Sequence, residues 1–153
     1  KEIIDFNERN KQKEMPYFAQ DLFIKAEAKG PLSSKEYRDA LAKNRKMTRE
    51  EGIDAVMDKF QLDALIAPTA GPAWPNDYVN GDHGLGNGSQ LPAVSGYPNI
   101  NVPVGYVFGL PFGMSIFGKA YSEPKLIKIA YAFEQATKFR KVPQFLPSLR
   151  IYL

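Results

Sequence analysis

A chain without cysteine offers its serines as candidate nucleophiles, and this one has seven. His83 is the sole histidine and follows Asp82, so a Ser-His-Asp triad would have to run through it. A nucleophile elbow needs Gly-x-Ser-x-Gly. Ser95 sits in Ala93-Val94-Ser95-Gly96-Tyr97 and Ser89 in Asn87-Gly88-Ser89-Gln90-Leu91, and neither fits. His83 reads better as a polar loop residue. Ser33-Ser34-Lys35 invites a Ser-Lys pair, but neighbours at a helix start do not face each other. Ser33 lies three residues before Glu36, which is capping-box spacing, and the cap explains it. Asp77, Asp82 and His83 share one stretch and could gather round a cation, yet they lack EF-hand spacing or a His pair, and no metal is expected. The glycine-rich run from Gly81 to Gly88 is not followed by Lys-Ser/Thr or by a helix start, so it is no phosphate loop, and no cofactor is expected.

Binding chemistry has better candidates. Trp74, the only tryptophan, stands in Pro72-Ala73-Trp74-Pro75-Asn76-Asp77, directly after the apolar run Asp63 to Ala67. Ligands of open α/β sheets gather outside the carboxyl ends of strands. A rigid aromatic with a carboxamide and a carboxylate beside it can wall a pocket. The plainer reading is a tryptophan covering the rim of a core. Trp74, Asn76 and Asp77 are the substrate-binding candidates here, and Asn101 joins them from the strands below.

The elements that must position these residues follow from periodicity. Ile100 to Val104 and Leu110 to Phe117 alternate with period two. Ile100, Val102, Val104, Leu110, Phe112, Met114 and Ile116 should share one face. Asn101, Pro103, Gly105, Pro111, Gly113 and Ser115 should share the other, which carries almost no bulk. Glycine in a strand marks close approach of a ligand or another backbone. Asp63 to Ala67 reads as a buried strand. Before it, residues 2 to 14 read as a helix. A second helix should start at Pro16 and run to about Lys29, where Gly30 and Pro31 stop it. A third should span about Ser34 to Phe60 with Gly52 as its weak point, burying Ile53, Val56, Met57 and Phe60. Gly71 to Pro98 holds six Gly and four Pro and reads as a long loop of the functional kind. Ser122 should cap a last helix from Glu123 to about Arg140, with Leu126, Ile129, Ala130, Phe133 and Thr137 inward. Val142 to Leu149 reads as an extended tail.

Helices, strand, loop, two strands and helix make an α/β layer, a mixed sheet flanked by helices. The expected organisation is helical over 1–60, strand and loop over 61–119, and helix and tail over 120–153. Two or three strands are a thin sheet that would sit better beside further strands. The length of 153 residues favours one domain with a core. Net charge is only +3, and no basic stripe with stacking aromatics appears, so nucleic acid is not an expected partner. No apolar run of roughly 18 residues exists, so no membrane span is expected. Lys1 stands where an initiator Met would, which suggests a start in mid-protein. Absence of cysteine fits a cytoplasmic protein.

Four stretches carry a resemblance. They are Leu62-Asp63-Ala64-Leu65-Ile66-Ala67-Pro68-Thr69; Ala93-Val94-Ser95-Gly96-Tyr97-Pro98-Asn99-Ile100-Asn101-Val102-Pro103-Val104-Gly105; Gly109-Leu110-Pro111-Phe112-Gly113-Met114-Ser115-Ile116-Phe117-Gly118; and Ala130-Tyr131-Ala132-Phe133-Glu134-Gln135-Ala136-Thr137. In order and spacing the chain resembles the carboxyl-terminal third of the amidase signature family, the Ser-cisSer-Lys amidohydrolases. The resemblance implies an enzyme that cleaves carboxamides with a Ser-cisSer-Lys triad and an oxyanion hole in the upstream part. It implies that this segment supplies sheet strands, a pocket wall and a closing helix. By itself it would have no catalytic residue and no activity. Its partners would be the missing amino-terminal part, a small-molecule amide and, as an option, a second copy. The family also contains the amide-hydrolysing component of the glutamyl-tRNA amidotransferase. A non-catalytic binding or scaffold domain of the same descent is the other alternative. Asn99 and Asn101 stand where many members carry Ala, Ser or Thr.

Overall fold

Alternation builds the centre of the molecule as expected. The computed structural model describes residues 1–84 and 86–145. Strand β2 (Asn99–Val107) and strand β3 (Leu110–Phe117) form a hairpin, and β1 (Leu65–Pro68) pairs with the other side of β3. Both pairings are antiparallel, in the order β1-β3-β2. Phe108 and Gly109 form the two-residue turn with φ of 51° and 80°. Two positive φ values make a turn whose twist suits a hairpin, and glycine takes the second position without strain.

One face of the sheet packs on helix α7 (Glu123–Thr137). Val102 and Ile116 meet Leu126 and Ala130 there, and Ile100, Met114, Ile129 and Phe133 close around them. The opposite face carries a second cluster. Phe117, with Leu65 and Ala67, packs on Ile53, Met57 and Tyr97. Ile53 ends a π-helical segment, Lys46–Ile53, and Met57 lies in α5 (Asp54–Phe60). The other end of that face is where the small residues lie.

Several expectations need correction. Pro103 has no N–H to give to the ladder, and the register slips there: Pro103 pairs with Gly113 but Gly105 with Phe112. Such a bulge reverses the alternation. Gly105 therefore lies on the α7 side with Phe112, not on the bare side. Strand β1 is an edge, and Ile66 is exposed rather than buried. The helical run over 35–60 is α4 (Lys35–Arg45), the π segment and α5. An ideal Cβ on Gly52 would stand 2.6 Å from the Met47 carbonyl oxygen, so the wide turns close over this glycine. Ile53 and Met57 are buried, but Val56 and Phe60 face out. Inside the expected loop, Gln90–Ser95 form a short helix, α6, with Pro92 in its first turn and Gly96 at φ 71° after it, so a helix does open after the Gly81 to Gly88 run, contrary to expectation. Ser122 precedes α7, but its hydroxyl turns back to the Lys119 carbonyl at 2.7 Å instead of capping. Helix α7 ends at Thr137, three residues early. The extended tail expected over Val142 to Leu149 falls partly, and Arg150 to Leu153 wholly, outside the described residues.

The chain divides into two compact units, Lys1–Ala42 and a larger one that begins at Lys43. The first holds α1 (Glu2–Arg9), α2 (Lys11–Glu14), α3 (Asp21–Glu27) and most of α4. Pro16 lies outside any helix, and α3 begins five residues after it. Ser34, not Ser33, caps α4: its Oγ accepts the Tyr37 N–H at 3.3 Å. Gln20 is the sole buried residue of this unit. Its Nε2 donates to the Ile4 carbonyl at 3.0 Å and its Oε1 accepts from Asn7 at 3.1 Å. Phe6, Phe18, Leu22, Phe23 and Leu32 are all exposed. This unit has hydrogen bonds at its centre in place of an apolar core.

Candidate functional site

Register brings three hydroxyl and amide side chains together at the small-residue end of the face opposite α7. Ala67 pairs with Ser115, and Asn101 pairs with Ser115 from the other side. Thr69 follows β1, and its N–H donates to the Gly113 carbonyl at 2.9 Å. Thr69 Oγ1 donates to Asn101 Oδ1 at 2.6 Å and lies 3.0 Å from Ser115 Oγ. Ser115 is fully buried, whereas Asn101 is exposed. A Cβ on Gly113 would lie 2.5 Å from Asn101 Oδ1. The carboxamide therefore lies flat over a glycine that leaves room for it.

A second network supports the start of β2. Arg49 Nε donates to the Ser95 carbonyl at 2.6 Å, and its guanidinium lies 5.2 Å from the centre of the Tyr97 ring. Tyr97 donates its hydroxyl proton to Asp54 Oδ2 at 2.8 Å. Ser95 itself is fully buried. Its Oγ donates to the Pro92 carbonyl at 3.1 Å and accepts the Tyr97 N–H at 3.2 Å. That hydroxyl caps a turn and is out of reach of a substrate.

The remaining candidates sit in the loop after β1. Asp77 Oδ1 accepts the N–H groups of Val79 and Asn80, each at 2.9 Å, and Oδ2 accepts Asn80 Nδ2 at 2.9 Å. His83 Nε2 lies 3.7 Å from Asp77 Oδ2, and Trp74 Nε1 donates to Asp82 at 3.3 Å. Asn76 is exposed and makes no side-chain hydrogen bond among the described residues. So Trp74 and Asp77 belong to one hydrogen-bonded loop, while Asn101 belongs to the sheet cluster. The bonds from Asn80, backbone first and side chain second, and then from the Val79 N–H hold the Asp77 carboxyl down at about 2 from an ordinary 3.8. A depressed carboxyl stabilises the turn above its ordinary value and ceases to do so as pH falls through about 2. Fluorescence of Trp74, the only tryptophan, should therefore change between pH of about 4 and about 2. The change should be missing in Asp77→Asn; an unmodified chain with flat emission across that range would refute the coupling.

No family model matches the chain. Over 148 residues it is 38% identical to a probable amidase of Arabidopsis thaliana, an alignment that takes in 95% of this chain and 25% of that protein. The native peptide amidase of Stenotrophomonas maltophilia superposes with a TM-score of 0.85 at 42% identity, across 94% of this chain and 28% of the other. The chain belongs to the amidase signature family. It spans about a quarter of the length of the curated amidase it matches. A shorter stretch of 57 residues is 44% identical to the A-type subunit of the glutamyl-tRNA(Gln) amidotransferase of Thermoanaerobacter pseudethanolicus, covering 37% of this chain and 12% of that protein.

The stretches that carry the amidase resemblance now have places. Leu62–Thr69 leads into β1 and ends on the Thr69 hydroxyl. Ala93–Gly105 is the end of α6 and most of β2, Gly109–Gly118 is β3, and Ala130–Thr137 is the second half of α7. The family segments thus build the sheet, its cover and the Thr69, Asn101 and Ser115 cluster. Sequence reasoning placed Asn101, Gly113 and Ser115 on one face but missed Thr69. Its only sequence signal is a hydroxyl residue directly after the β1 proline.

Proposed function

We propose that the chain is the carboxyl-terminal part of an amidase that hydrolyses carboxamides through a seryl acyl-enzyme. The nucleophile, its bridging serine and the lysine base would lie in the upstream part, and the segment alone would be inactive. One observation carries this reading: nearly the whole chain superposes on a peptide amidase, yet Ser95, a serine within one of the stretches that carry the resemblance, is sealed in a turn. The segment's work is then to build a wall of the substrate pocket, with Trp74, Asn76, Asp77 and Asn101 as its contacts. The substrate is a small amide, no cofactor takes part, and the absence of cysteine fits a cytoplasmic enzyme.

A hydrolysis assay tests it. The complete gene product should release ammonia or amine from carboxamides, and the 153-residue chain should release none. Turnover by the isolated chain that vanishes in Ser95→Ala or His83→Ala would overturn the reading. The partial match to the amidotransferase supports a second one, in which the whole protein works with a partner protein on a charged tRNA. Mass spectrometry of the complex isolated from cells separates the two.

A further inference from the structure

We propose that Asn101 is the specificity-determining donor of this wall, and that its Nδ2 takes a neutral carbonyl oxygen of the substrate. The inference rests on the amidase reading above for its substrate and on the sheet cluster for its geometry. A carbonyl oxygen only accepts, so the proton between Thr69 Oγ1 and Asn101 Oδ1 belongs to Thr69. Thr69 has then spent its one proton, and the contact with Ser115 must be filled by the Ser115 proton. The donors run in one direction: Ser115 to Thr69, Thr69 to Asn101. The row ends on the outer edge of Asn101, where both Nδ2 protons are without an acceptor among the described residues.

Fixing an exposed side chain costs rotamer freedom and has no value for stability unless its position matters. Here three residues fix one. Thr69 holds the oxygen, buried Ser115 holds Thr69, and Gly113 gives up a side chain so that the carboxamide can lie flat. The cluster contains no ionisable group, so a carboxylate or ammonium of the ligand would find no counter-charge in it. A neutral amide carbonyl matches a lone N–H donor. A site built to hydrogen-bond a substrate group discriminates strongly against substrates without that group.

The test uses the complete protein that carries this segment. Asn101→Asp keeps the shape and the bond from Thr69 but removes the donor. It should raise KM for a carboxamide roughly tenfold or more, with kcat within about threefold and the melting temperature unchanged. Gly113→Ala, which displaces the carboxamide, should reproduce the KM effect. Unchanged KM in both Asn101→Asp and Asn101→Ala overturns the proposal. A protein that hydrolyses no carboxamide sinks the amidase reading instead, and binding then decides this one. In a titration with acetamide, whose one carbonyl is neutral, the side-chain amide resonances of Asn101 should shift, and acetate, which has no neutral carbonyl, should leave them in place. Resonances that ignore the amide, or that move equally with both ligands, refute the carbonyl site.

Discussion

Leu126→Ala should lower the stability of the larger unit by about 3 kcal/mol, within a usual range of roughly 2–5 kcal/mol for such truncations. Leu126 is 1% exposed and stands between Ile116 and Val102 of the sheet and Ala130 of its own helix. Two costs add: the lost transfer of the apolar group from water, and the void that a backbone held by strand pairing cannot collapse into. The neighbouring residue is the control. Ile127 is one position along α7 and 57% exposed, so Ile127→Ala should change stability by no more than about 0.5 kcal/mol. Urea unfolding followed by circular dichroism measures both. Equal losses at the two positions would mean that α7 does not face the sheet with Leu126.

Tyr97→Phe should cost about 1–3 kcal/mol although it removes a single oxygen. Among the described residues the Tyr97 hydroxyl is the one donor to Asp54 Oδ2, and Asp54 Oδ1 is already buried with no partner. Without the hydroxyl, both carboxylate oxygens lack a protein donor. Phenylalanine retains the ring that Arg49 stacks on, so the change isolates the hydrogen bond. A double-mutant cycle with Asp54→Ala should recover most of the loss, because the unpaired charge is then gone. The same bond sets an alkaline limit. Burial first, and the Asp54 carboxylate second, push the Tyr97 hydroxyl above its ordinary value near 10. A group raised in the folded state contributes in full below its unfolded value and stops contributing as pH rises through the folded one. Stability should therefore fall above pH of about 10 in the unmodified chain and fall less in Tyr97→Phe. Identical profiles for the two chains would refute the assignment.

Much of this architecture is legible in the sequence, and the failures have specific causes. The hairpin and α7 are readable because each has a single strong period that agrees with what packs on it. The reversal at Gly105 is not, because alternation has no way to announce an inserted residue, and only Pro103 hints at one. Helix α6 is hidden because Pro92 and the glycines around it imitate a loop, although proline is harmless in a first turn. The cap of α4 is off by one residue because Ser33 and Ser34 are chemically equal. For the candidate site, the bareness of the face is visible and singles out Asn101. Its partnership with Thr69 is not, since the two are 32 positions apart and meet only once β1 and β2 both flank β3.

The lack of an apolar centre in the first forty-odd residues has a practical corollary. Every buried apolar side chain of the described residues occurs at or after Ile53. A gene trimmed to open at Lys43 would thus keep all of them and shed greasy surface that invites clumping in the test tube. Whoever wants diffraction-quality material from this polypeptide should clip the front.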